Sequence, residues 1–142
     1  MMRLRLTAAP IPEDDIQASF VRWCDLMLPP CVQWTAFPSD GLRTPQGGAR
    51  LVRLGWKPGW PDWQAVWRGA YYGIEFKRAG NTLSRSKIIR RANGSMRERL
   101  GQVERHALLR EAGVEDRLVV CTSADEAIAA VRRWGMPARE SR

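Results

Sequence analysis

A chain of 142 residues with 44% hydrophobic side chains can bury a core as one domain, which excludes an intrinsically disordered polymer. Lysine and arginine number 23 against 15 acids, a formal charge of +8. That excess favours a polyanionic partner, nucleic acid first and an anionic membrane surface second. No apolar run approaches the ~20 residues of a membrane span.

Residues 1–11 read as a loose arm without the long apolar stretch of a signal peptide. Pro12-Glu13-Asp14-Asp15 then opens a helix, because proline suits a first turn and acids suit the positive dipole end. Ile16, Phe20, Val21, Trp23, Cys24 and Met27 follow at near-helical spacing until Pro29-Pro30 ends it. Val32 to Phe37 reads as a strand, Pro38-Ser39-Asp40-Gly41 as a turn, and Thr44 to Trp56 as a short helix broken by Gly55 and Pro58-Gly59. Asp62 to Trp67 is the next strand. Arg68-Gly69-Ala70 turns it, and Tyr71 to Lys77 returns antiparallel.

Ala79 to Arg99 carries Arg85, Lys87, Arg90, Arg91, Arg97 and Arg99 against one acid, Glu98, and reads as a flexible basic loop with a short helical piece. These cations are the candidate DNA contacts, since each can neutralise a phosphate and release a counterion. A helix is expected from about Ser95 to Ala112, stopping at Gly113. Arg117 to Thr122 is an apolar strand. Ser123 caps a last helix that runs to about Trp134. The expected order is α-β-α-β-β-α-β-α, in one domain with its core over residues 12–135.

Two charged motifs flank the hairpin: Gly59-Trp60-Pro61-Asp62 and Ile74-Glu75-Phe76-Lys77. Antiparallel return brings the start of the first strand opposite the end of the second, so Asp62, Glu75 and Lys77 gather at one end of the sheet. Side chains at i and i+2 share a strand face, which pairs Glu75 with Lys77 and leaves Ile74 and Phe76 on the other side. Two carboxylates can hold a divalent cation, and the lysine can polarise a water or a phosphate. A lone Glu-x-Lys would read as a solvated strand face; it is the joint occurrence with Asp62 that points to a site. Glu13 and Gln17 lie one turn apart on the first helix, where Glu13 could reach the metal and Gln17 orient a phosphate. Gln102 could contact the site from the following helix. Trp60 is the tryptophan expected nearest substrate.

Cys24, Cys31 and Cys121 are odd in number and lack zinc-type spacing, so they read as reduced thiols of a cytoplasmic protein. His106, the sole histidine, has no nucleophile motif and is expected on a helix surface or boundary.

The succession Glu13-x-x-Ile-Gln17, Gly41, Ala49-Arg-Leu-Val-Arg-Leu-Gly55-x-x-Pro-Gly-Trp-Pro-Asp62, Gly73-Ile-Glu-Phe-Lys77, Leu83-Ser84, Gln102 and Val119-Val-Cys-Thr-Ser-Ala-Asp-Glu-Ala resembles a VRR-NUC domain. This is a branch of the PD-(D/E)xK nucleases, and the likeness is to its small stand-alone phage and prophage form. The resemblance implies a restriction-endonuclease-like α/β fold, a mixed sheet flanked by helices. It also implies magnesium- or manganese-dependent DNA cleavage. Asp62, Glu75 and the Phe76 carbonyl would ligate the metal and Lys77 would be the catalytic lysine. Glu13 matches the helix acid, and Gln17 and Gln102 match the supporting amides. Stand-alone members resemble Holliday-junction resolvases, and a homodimer would suit a symmetric junction.

Two features depart from the family. Arg85 to Gly101 is a basic insertion, and Trp60 is bulkier than the usual aliphatic. The competing readings are a non-catalytic DNA-binding module, and a nuclease subunit active only within a phage replication or packaging complex.

Overall fold

The computed structural model describes residues 8–37 and 44–140. The start of the expected arm and the turn at residues 38–41 lie outside these. The chain runs α1 (Glu13–Met27), β1 (Gln33–Ala36), α2 (Pro45–Arg53), β2 (Trp63–Trp67), β3 (Ala70–Phe76), β4 (Lys87–Arg90), β5 (Met96–Arg99), α3 (Gln102–Leu109), β6 (Leu118–Cys121) and α4 (Ala124–Arg133). It is a mixed α/β arrangement with a four-stranded sheet, ordered β1-β2-β3-β6, and a separate two-stranded sheet, β4-β5. Among the described residues no helix is long and apolar enough to cross a membrane.

Local chemistry sets the helix ends. Three acids fill the first turn of α1, and its last amide bond, Leu28 N–H to the Cys24 carbonyl, closes just before Pro29. Thr44 caps α2 by accepting from the Gly47 N–H at 3.0 Å, and Ser123 caps α4 by accepting from the Glu126 N–H at 3.1 Å.

The β2–β3 hairpin fixes the sheet. Arg68 and Gly69 both have positive φ, 49° and 73°, as a two-residue turn matched to strand twist requires. Trp67 therefore pairs with Ala70 and Trp63 with Ile74. β1 adds antiparallel to β2, and β6 adds parallel to β3. β3 is thus internal and covered on both faces. Tyr72, Ile74 and Phe76 enter the main core with Phe20, Cys24, Trp63 and Val131. Phe20 meets Trp63 edge-on at 5.2 Å between centroids and Phe76 at 5.6 Å. The opposite face of β3 meets α3 and a smaller cluster of Leu109, Val114 and Leu118, with Trp60 and Tyr71 packed against it.

The basic stretch differs from the expectation. Instead of a loop with a helical piece it contains an antiparallel hairpin, with Lys87 opposite Arg99 and Ile89 opposite Arg97. Helix α3 starts at Gln102, not Ser95. The physical reason is local: the β-branched pair Ile88-Ile89 favours extended chain, and Asn93-Gly94, with Gly94 at φ 83°, turns it back. Past Leu109 the chain widens into a turn, Arg110–Val114, in which Gly113 takes φ 108°.

Candidate active site

One residue beyond the Trp63–Ile74 pair, Asp62 comes opposite Glu75. The Phe76 N–H donates to Asp62 Oδ2 at 2.8 Å, so the hairpin itself orients this carboxylate. Glu75 is 1% exposed, and Lys77 Nζ lies 3.7 Å from Glu75 Oε1. The strand-face reading for these two residues therefore holds, but the face is buried under α3 rather than solvated. Burial raises the Asp62 pKa, against the Phe76 N–H and the Lys77 charge. Burial, followed by the Asp62 charge, pushes Glu75 up to about 9, with Lys77 opposing. Without a compensating cation, Glu75 keeps its proton at neutral pH.

α3 supplies two partners. The Gln102 side chain donates to Glu75 Oε1. Its own carbonyl accepts from the Ser84 N–H at 3.0 Å, while Ser84 Oγ accepts from the Gln102 N–H at 3.1 Å. Gln102 thereby ties the segment before the basic hairpin to the buried acid. His106 is the second partner, and its placement corrects the surface expectation. It is fully buried, with Nε2 4.0 Å from Glu75 Oε2. Desolvation, then the charges of Arg110 and Lys77, lower its pKa to about 4, so it is neutral. The signal for its burial was present: Gln102, His106 and Leu109 recur at i, i+4 and i+7, one helix face.

The remaining candidates are placed as follows. Glu13 accepts from the Arg78 N–H at 3.1 Å, at the end of β3, and its charge acts on both Asp62 and Glu75. Gln17 is half-buried, and its side chain forms no hydrogen bond among the described residues, so the structure does not join it to the acids. Trp60 stands edge-on to Tyr71 at 6.1 Å, in the smaller core cluster, and is a packing residue. Arg85, Lys87, Arg90, Arg91 and Arg99 are exposed, and Arg97 is half-buried.

The hairpin's root is bolted to the first turn of α3. The Ser86 N–H donates to Glu104 at 2.9 Å and the Gly101 N–H to Ser86 Oγ at 3.3 Å. Gly101 is needed here because a Cβ would fall 2.3 Å from the Arg85 carbonyl carbon and 2.5 Å from the Ser84 oxygen. Gly101→Ala is therefore expected to force residues 84–86 off α3, at an overpacking cost of about 1–3 kcal/mol. The check is a urea unfolding curve read beside proteolysis of the 84–100 segment; unchanged stability and cleavage would show that the contact yields freely.

The donor chemistry bears on which cation fits. Among the described residues no three His, Cys, Asp or Glu side chains cluster at metal-holding spacing. Two carboxylates are the usual protein share for magnesium, which keeps several waters, and oxygen donors suit magnesium or manganese over softer ions. Glu75 Oε2 and both His106 nitrogens are buried without hydrogen-bond partners among these residues, so the site has unmet polar capacity. Comparison with family models, curated proteins and solved structures finds no match for the chain.

Proposed function

We propose that this protein is a divalent-metal-dependent DNA endonuclease of the VRR-NUC type, with a restriction-endonuclease-like fold and selectivity for branched DNA such as a four-way junction. The observation that carries the reading is the convergence of Asp62, Glu75 and Lys77 at one end of the central sheet, fixed by hairpin register and by the Phe76 N–H bond to Asp62. Asp62 and Glu75, with the Phe76 carbonyl, would hold magnesium or manganese. Such an ion, when bound, activates water and stabilises the charge that builds on the departing oxygen.

The chain's own residues do the rest. Lys77 sets a positive charge beside the carboxylates, where it offsets charge on the attacked phosphate. Gln102 holds Glu75 in place, and Glu13 orders the chain just after Lys77 through the Arg78 N–H. The basic hairpin offers the phosphate contacts that bring DNA to this end of the sheet.

The test is cleavage of labelled four-way junction, flap, splayed arm, duplex and single strand with magnesium, manganese or EDTA. Metal-dependent cutting, fastest on a branched substrate, is expected. Binding without cutting under every condition would replace the nuclease with a DNA clamp or a subunit that needs a partner.

A further inference from the structure

A cleft of about 810 Å³ opens between α2 and the β4–β5 hairpin. Trp56 and Val52 line it, and Lys57, Arg97, Arg99 and Arg105 bring four cations against one acid of the lining, Glu98. Three observations say what it holds.

The first is charge. On the hairpin, Lys87 stands directly opposite Arg99, with Arg97 two residues along on the same strand face. Like charges opposed across a strand pair destabilise it, and an anion laid along that face offsets the cost. The second is the set of unmet donors. Trp56 Nε1 and Arg97 Nε are buried and have no hydrogen-bond partner among the described residues. Both are donors only, on residues that line the cleft, so an occupant that comes within reach of them must bring acceptors. The third is the indole itself, which has the Arg99 guanidinium 5.9 Å from its ring centroid. An aromatic face beside arginines is the arrangement on which bases stack.

An anion, hydrogen-bond acceptors and a planar ring together describe a nucleotide. A duplex keeps its bases paired and stacked, whereas an unpaired strand has free faces to offer. The cleft also lies close to the acids. Arg105 Nε donates to the Pro58 carbonyl at 3.0 Å. Pro58 precedes Asp62 by four residues, at most ~14 Å of chain, and Arg105 lies one helical turn beyond Gln102, ~4.5 Å along the axis.

We propose that this cleft binds an unpaired nucleic-acid strand, with one base stacked on Trp56 and its phosphates held by Lys57, Arg97 and Arg99. The strand's role as the open arm beside the cut rests on the nuclease reading; the binding does not. The test uses the full chain in EDTA and measures fluorescence anisotropy with a thymidine oligomer, a blunt duplex and a splayed arm. Trp56→Leu is expected to weaken the oligomer and the splayed arm about ten-fold, the loss of one base–aromatic stack, and to leave the blunt duplex unchanged. Trp56→Phe is expected to keep most of the affinity. Arg97→Gln with Arg99→Gln weakens all three and flattens the salt dependence.

Unchanged oligomer affinity in Trp56→Leu, or equal losses on oligomer and duplex, overturns the proposal. So does displacement of the oligomer by polyglutamate at matched charge, which would make the cleft a site for acidic protein. Should Trp56→Leu fail to fold, photocrosslinking of wild type to an iodouracil oligomer decides: adducts on the peptide containing Trp56 support the proposal, and adducts confined elsewhere overturn it. Absent cleavage with metal would sink the nuclease reading and leave these binding results standing.

Discussion

Lys77→Met is expected to lower the cleavage rate by about 10²–10³-fold, the cost of removing one preorganised charge from a reacting centre, while DNA affinity in EDTA changes little. Lys77 is half-buried and 3.7 Å from Glu75, at the end of a strand whose neighbours are packed. Its loss removes a cation from the acids without opening the core. The effect has a second signature. Lys77 pulls the Glu75 pKa down, so in Lys77→Met the acid holds its proton to higher pH. The acidic limb of the pH–rate profile should therefore move upward as the plateau falls. Asp62→Asn separates the two contributions. Its side-chain carbonyl can still accept from the Phe76 N–H, so the hairpin end keeps its order. Removing the Asp62 charge relaxes Glu75 downward, yet one of the two carboxylates proposed to hold the metal is lost and cutting should vanish. Rates across pH with manganese, beside anisotropy in EDTA, check both. Substantial cleavage by either variant would move the chemistry elsewhere in the molecule.

The difference between what could be read from the sequence and what could not is physical. Asp62, Glu75 and Lys77 converge through a tight turn and a strand register, both local, so the hairpin pattern is sufficient to bring them to one end of the sheet, although the sequence pattern puts Ala70 in the turn and the structure starts β3 there, opposite Trp67. Helices α1 and α4 announce themselves through proline, acids and the Ser123 cap. The β4–β5 hairpin was masked by its own charge. Ile88-Ile89 and Asn93-Gly94 carry the strand and turn signals, but six cations around them resemble a solvated loop. The i, i+4, i+7 spacing marks the α3 face that carries His106, but which strand that face covers, and the grip of Gln102 on Ser84 and Glu75, depend on how α3 docks on β3, a contact across 27 residues of chain for Gln102 and Glu75 that no local pattern encodes. Trp60 departs from its expected setting for the same reason. Tyr71 and Leu109 arrive from distant segments to cover Trp60, whereas Trp56 faces the cleft that the hairpin creates.

Glu75→Gln should make the metal-free protein more stable at pH 8 and, on the proposed function, should abolish cleavage. The sign follows from proton linkage. In the folded chain Glu75 binds its proton up to about 9, against an ordinary value of 4.5. Between those limits the native state carries a proton that the unfolded chain has lost. Stability therefore falls as pH rises across that window: it is fully present below 4.5 and spent above about 9. His106 acts oppositely and lower down. Its folded value of about 4 lies below the ordinary 6.5, so stability rises with pH between those values, and the two slopes cancel from 4.5 to 6.5. Wild type should then lose stability from pH 6.5 to 9 with the slope of about one proton. Glutamine has no proton to lose and can still accept the Gln102 bond, so its advantage over wild type grows across that range. Manganese reverses the ranking, because an ion bound to the carboxylate stabilises the native state of wild type and not of the variant. Urea midpoints from pH 5 to 9, with EDTA and with manganese, are the measurement. A Glu75→Gln protein that is less stable at every pH would mean that Glu75 is ionised and paired in the free protein, with Lys77 outweighing both burial and Asp62.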